Sequence, residues 1–132
     1  DDLARHWYGA SEQEELWSLD DEARRYRFFQ FWTIKESITK ALGRGLWTTL
    51  SGIHLTGIDA GTPDLKLSGQ AECTAPIAWW HFDAGDGYNL ALAHLAGDGT
   101  PPAISWIRPG ETPDSTRVTA DLSGVRHPID NW

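Results

Sequence analysis

The stretch FFQFWTIKESITKALGRG at positions 28–45 constrains this chain more than any other. Phe31, Ile34, Ile38 and Leu42 recur at steps of three and four. That spacing puts them on one stripe of an α-helix, which must be buried. Gly43 and Gly45 follow the last apolar position and supply the left-handed freedom in which helices commonly end. Asp20 or Asp21 can cap the other end, and Glu22 adds negative charge to the first turn, where it is favoured. One long helix is therefore expected over residues 22–42.

Trp32, Glu36 and Lys40 recur at steps of four and share a second face of that helix. Lys35 directly precedes the carboxylate. A carboxylate can share a hard cation such as Mg²⁺ with waters and substrate phosphates, and lysines can hold those phosphates as point charges. Spacing alone also fits a solvated face with an ordinary Glu36–Lys40 pair, worth ~0.2–0.5 kcal/mol.

Beyond the helix the period changes from 3.6 to 2. Strands are expected over 51–56, with Ile53 and Leu55 on one face, and over 64–68, where Leu65 and Leu67 flank Lys66. Residues 77–82 and 88–95 read as two further strands joined by the hairpin loop Asp83-Ala-Gly-Asp-Gly87. Residues 103–107 read as an edge strand. From Pro109 the chain is polar and broken by prolines at 109, 113 and 128, which reads as an extended tail over 109–132 held by Val125, Ile129 and Trp132. At the N-terminus, residues 3–10 read as helical with Leu3 and Trp7 inward. Ser11-x-x-Glu14 reads as the capping box of a short second helix. Trp7 and Trp17 read as core residues. Trp79 and Trp80 point to opposite faces of their strand, so only one is expected in the core.

Composition narrows the function. A net charge of −8 argues against nonspecific nucleic-acid binding. Six of the eleven basic residues nevertheless fall between Arg24 and Arg44, which suits an anionic ligand or partner at that place. No apolar run approaches the ~20 residues of a membrane span. Cys73 is the single cysteine, so no internal disulfide can form, and a reducing, cytoplasmic setting is expected. The chain has no methionine and opens Asp1-Asp2, so a piece of a longer chain or a processed product is expected. Asp83-x-x-Asp86-Gly87 lacks the ligands of a calcium loop and reads as hairpin chemistry. His54, His81 and His94 have no ligand spacing and read as structural. The chain has neither a Walker-type phosphate loop nor a serine in a nucleophile-elbow pattern.

Trp32-x-x-Lys35-Glu36-Ser37-x-x-Lys40-x-x-Gly43-x-Gly45-Leu46 resembles the W-x-x-K-E-[SA]-x-x-K-x-x-G-x-G-L signature of the 4′-phosphopantetheinyl transferases, of the two-domain surfactin-synthetase-activating type. Residues 2–12 resemble the segment upstream of this helix in that family, and residues 79–95 its terminal hairpin. The resemblance covers about residues 1–108. It implies an α+β half-domain over 1–108, a long helix packed on a small, mainly antiparallel sheet, being one half of a pseudodimer. It implies Mg²⁺-dependent transfer of the 4′-phosphopantetheine arm of coenzyme A to a serine of an acyl or peptidyl carrier protein. Carried over by position, Glu36 is the metal ligand and candidate catalytic base. Lys40 contacts the coenzyme A phosphates, and Lys35 is a weaker candidate for the same role. Arg24, Arg25 and Arg27 could attract an acidic carrier protein. The family's other metal ligands lie in a G-[IV]-D-x-E motif upstream of the segment matching residues 2–12. Gly57-Ile58-Asp59-Ala60-Gly61 resembles that motif only superficially, with Gly61 where the acid belongs and the segment on the wrong side of the helix. The expectation is a C-terminal half that is inactive alone and needs an N-terminal half as partner. A non-catalytic carrier-docking module of the same fold is the alternative. A trimeric enzyme of the holo-acyl-carrier-protein synthase type is disfavoured, because it too needs an N-terminal Asp motif.

Overall fold

The computed structural model describes residues 2–45, 49–95 and 100, and the backbone of 122–126. Among the described residues, three α-helices, α1 (Asp2–Trp7), α2 (Ala10–Ser18) and α3 (Asp21–Leu42), precede five strands. These are β1 (Ile53–Thr56), β2 (Asp64–Leu67), β3 (Ile77–Asp83), β4 (Asn89–Leu95) and β5 (Leu122–Arg126). The class is α+β, as expected.

The long helix forms where its period places it. The Asp20 carboxylate accepts from the Ala23 amide at 2.9 Å and caps the N-terminus. Gly43 ends the helix at φ +66°, a left-handed conformation in which a side chain is strained. Phe31, Ile34 and Ile38 are fully buried, and Leu42 packs half-buried against the same core. They meet Ile53, Leu55, Leu65 and Leu67 of one sheet and Ile77 and Trp79 of the other. The helix thus spans both sheets.

β1 and β2 form an antiparallel ribbon pairing Ile53 with Leu67 and Leu55 with Leu65. The second sheet has the order β4-β3-β5, all antiparallel. Its hairpin turns through Gly85, Asp86 and Gly87, all at positive φ, with the Asp83 carboxylate accepting from the Gly85 amide at 2.8 Å. Hairpin chemistry accounts for this acidic loop.

Several expectations change. The first helix stops at Trp7 and buries Ala4, while Tyr8 is buried just beyond its end and Leu3 is exposed. α2 is capped at Gly9, whose amide donates to the Glu12 carboxylate at 2.7 Å. The Ser11–Glu14 box does not form, because helix starts one residue before Ser11. Trp17 lies at the surface beneath the Arg24 guanidinium, 5.4 Å from the ring centroid. Trp79 and Trp80 are both buried. β3 is the central strand, so Trp79 enters the main core while Trp80 joins Ala78, Phe82 and Leu90 on the other face. Residues 122–126, expected within an extended tail, pair with β3 and carry the sheet past residue 108. The strand expected at 103–107, and the anchors Ile129 and Trp132, lie outside the described residues.

Candidate functional site

Glu36 and Lys40 stand one turn apart on the face of α3 that the main core leaves free. Lys40 Nζ and Glu36 Oε1 are 2.9 Å apart, with side chains 73% and 33% exposed. Both line a cleft of about 350 Å³ between α3 and β4. Thr33, Ser37 and Ala41 continue the helical wall, and residues 90–93 form the facing one. β4 is an outer strand of its sheet, so the carboxylate and amine look across at a strand edge. Trp32, one turn before Glu36, packs its ring on Trp7 with centroids 4.9 Å apart. That contact ties this face of α3 to the end of α1.

Lys35 is not part of this face. The expectation that it meets coenzyme A phosphates is corrected by its burial: its side chain has no exposure. Nζ donates to Glu12 Oε2 at 2.7 Å and to the Trp7 carbonyl at 3.0 Å, and lies 4.8 Å from the Tyr8 ring centroid. The physical reason is helical geometry. Consecutive residues diverge by about 100° around the axis, and Lys35 stands four after Phe31 and three before Ile38, on the buried stripe. Burial holds the Lys35 ammonium below its usual basicity, opposed by the charge and hydrogen bond of Glu12. The Tyr8 hydroxyl is pushed far above its usual acidity range by burial and by the same carboxylate; it donates to the Phe28 carbonyl at 2.9 Å.

Glu12 is the residue that sequence reasoning missed. Fully buried, it accepts from Lys35, from the Gly9 amide and, through Oε1, from the Leu55 amide at 3.0 Å. A signal was present: Glu12 lies four before the buried Leu16, so it too falls on an apolar stripe. Opposite charges on two inward stripes mark a buried pair, since an unpaired buried charge is very costly.

The basic run divides. Arg27 is bound to Glu15 and to Asp59, the latter at 2.6 Å. Arg24 donates to the Leu16 and Leu19 carbonyls at 2.9 and 2.6 Å and to Asp21. Arg25 is exposed and has no ion-pair partner among the described residues. Arg44 clamps the carbonyls of Gln70 and Glu72. Most of the run is structural.

Asp59 of the 57–61 segment is thus occupied by Arg27, and no group of three His, Cys, Asp or Glu able to hold a metal occurs among the described residues. His81 is buried with Nε2 2.7 Å from Asn89 Oδ1, and His54 Nε2 lies 3.2 Å from the Ser68 hydroxyl. No helix among the described residues is long and apolar enough to cross a membrane.

Fold and cleft together define an α+β domain that presents one carboxylate and one amine to an open groove, chemistry suited to a cation–phosphate ligand. The chain belongs to the 4′-phosphopantetheinyl transferase superfamily, whose profile matches residues 1–93. It is similar to a protein of Synechocystis described as a putative 4′-phosphopantetheinyl transferase, with 41% identity over 66 residues. That match covers 50% of this chain and 24% of the relative. No solved structure matches the chain significantly.

Proposed function

We propose that this chain is the C-terminal half of an enzyme that transfers 4′-phosphopantetheine from coenzyme A to a serine of an acyl or peptidyl carrier protein, with Mg²⁺ as cofactor and in the cytoplasm. The observation that carries the reading is the shared cleft: Glu36 and Lys40 project into one groove, on a chain of this superfamily.

Mg²⁺ fits Glu36 as a single protein ligand. The carboxylate is partly exposed in the cleft, and Mg²⁺ tolerates one carboxylate when waters and substrate phosphates complete its shell. Bound there, the ion would offset charge on the pyrophosphate leaving group. Glu36 would hold it and orient the phosphates. Lys40 would give up its pairing with Glu36 and hold a phosphate oxygen, and the wall at 90–93 would limit water on that side. The remaining carboxylates come, in this reading, from the N-terminal half.

The single carboxylate in the cleft also favours a second reading, a carrier-docking module without chemistry. A transfer assay with labelled coenzyme A, Mg²⁺ and an apo carrier protein separates the two. The enzyme reading expects no transfer by the chain alone, transfer once the upstream half is added, and its loss in Glu36→Ala. No transfer even with that half, alongside retained carrier binding, would establish the docking module instead.

A further inference from the structure

We propose that Glu12 and Lys35 are the positioning pair of the site: their buried contact fixes the rotation of α3 about its own axis, and so the aim of Glu36 and Lys40 into the cleft. The inference rests on the reading of Glu36 and Lys40 given above.

The apolar stripe of Phe31, Ile34 and Ile38 turns α3 toward the core, and a hydrogen-bonded pair restricts that angle further. The ion pair has a direction. Glu12 Oε2 is fixed by the Gly9 amide and Oε1 by the Leu55 amide, so the carboxylate is anchored to the start of α2 and to β1 before Lys35 reaches it. Lys35 Nζ is fixed from the other side by the Trp7 carbonyl. Four chain segments meet at one Nζ···Oε2 contact of 2.7 Å. Glu36 is the next residue, about 100° around the helix. Trp7 acts twice, since its ring also packs on Trp32, which shares the Glu36 face. Any turn of α3 would break the ion pair and the Trp7–Trp32 contact together. Groups hydrogen-bonded directly to a metal ligand change affinity about 10–100-fold when removed, and a pair acting through the helix is expected at the lower end of that range.

The test compares Lys35→Met, Glu12→Gln and the double variant with the unaltered chain, using Mn²⁺ as probe. Far-UV circular dichroism selects variants that remain folded. The double variant removes both charges and keeps an acceptor at position 12, so it is the one most apt to fold. Two spectra are then read. In the metal-free chain, the amide resonances of Lys40 and Ala41, which do not touch the pair, should move. With Mn²⁺, broadening of the Glu36 and Lys40 amides should need about tenfold more metal. A folded variant with Lys40 and Ala41 resonances in place and unchanged broadening overturns the positioning role. Glu36→Gln serves as the separate control. If it leaves the broadening unchanged, the metal reading of Glu36 fails, while the metal-free resonances still judge the pair.

Discussion

Lys35 Nζ and Glu12 Oε2 lie 2.7 Å apart with neither side chain exposed, so the least soluble charge of α3 is neutralised by the least soluble charge of α2. Such a pair is weak evidence of net stability, yet removing one partner leaves an uncompensated buried charge, at about 3–5 kcal/mol. Lys35→Met and Glu12→Gln should each destabilise the fold by that order in urea unfolding. The double variant should lose clearly less than the sum of the two, because neither charge is then stranded. Additive losses would show that the two side chains do not interact.

Tyr8 gives the fold an alkaline limit. Burial and the Glu12 charge raise its hydroxyl's pKa above the ordinary value of about 10. The native state therefore keeps this proton where the unfolded chain loses it. The associated stability is fully present below about pH 10 and is lost as pH rises further. Lys35 acts in the opposite sense: its pKa is lowered, so stability gains as pH rises towards its ordinary value of about 10.4. Above about pH 10.4 the Lys35 contribution is complete, so Tyr8 decides the sign there. Tyr8→Phe should lower the melting temperature at pH 8, having lost the bond to the Phe28 carbonyl, and should flatten its decline at higher pH. An alkaline decline as steep as in the unaltered chain would remove Tyr8 as its cause.

Much of this was legible in the residues. Period, cap and glycine stop located α3 to within a residue, because all three act locally. Alternation located β1 to β4 for the same reason, whereas β5 falls in a segment read as extended tail. The burial of both Trp79 and Trp80 was not legible, because it depends on β3 lying between β4 and β5, and β5 comes from a segment far along the chain. Lys35 was misread for a different reason. As a neighbour of Glu36 it looked like part of one charged cluster, although its own helical phase, four from Phe31 and three from Ile38, placed it inward. Phase outranks adjacency on a helix. Glu12 carried the matching signal, but only its contact with Lys35 turns an inward charge into a plausible one.

Gly57 closes the turn after β1 at φ +72°, and a Cβ there would lie 2.2 Å from the Thr62 carbonyl oxygen. Gly61 has nearly the same φ, +67°, with open space around it. The two positions separate conformational strain from collision. Gly61→Ala should cost about 1–2 kcal/mol, the ordinary left-handed penalty. Gly57→Ala should cost more, since the blocking atom is backbone, and should disturb the neighbouring Arg27–Asp59 pair. Equal losses in chemical denaturation would mean that the turn relaxes around Gly57 freely.

The two lysines of α3 offer the sharpest contrast, because they are chemically alike and differ only in where the helix turns them. Lys40 is mostly exposed, and its pairing with Glu36 is a surface i, i+4 contact worth about 0.2–0.5 kcal/mol. Lys40→Ala and Glu36→Ala should therefore leave unfolding nearly unchanged. On the function proposed above, each variant loses charge stabilisation at the phosphates, so in the transfer assay with an upstream half supplied rates should fall on the order of 10²–10³-fold. Lys35→Met should show the reverse order of severity, with stability failing first. If Lys40→Ala unfolds the chain while leaving transfer intact in the folded fraction, the amine that meets the substrate is not the one in the α3–β4 cleft.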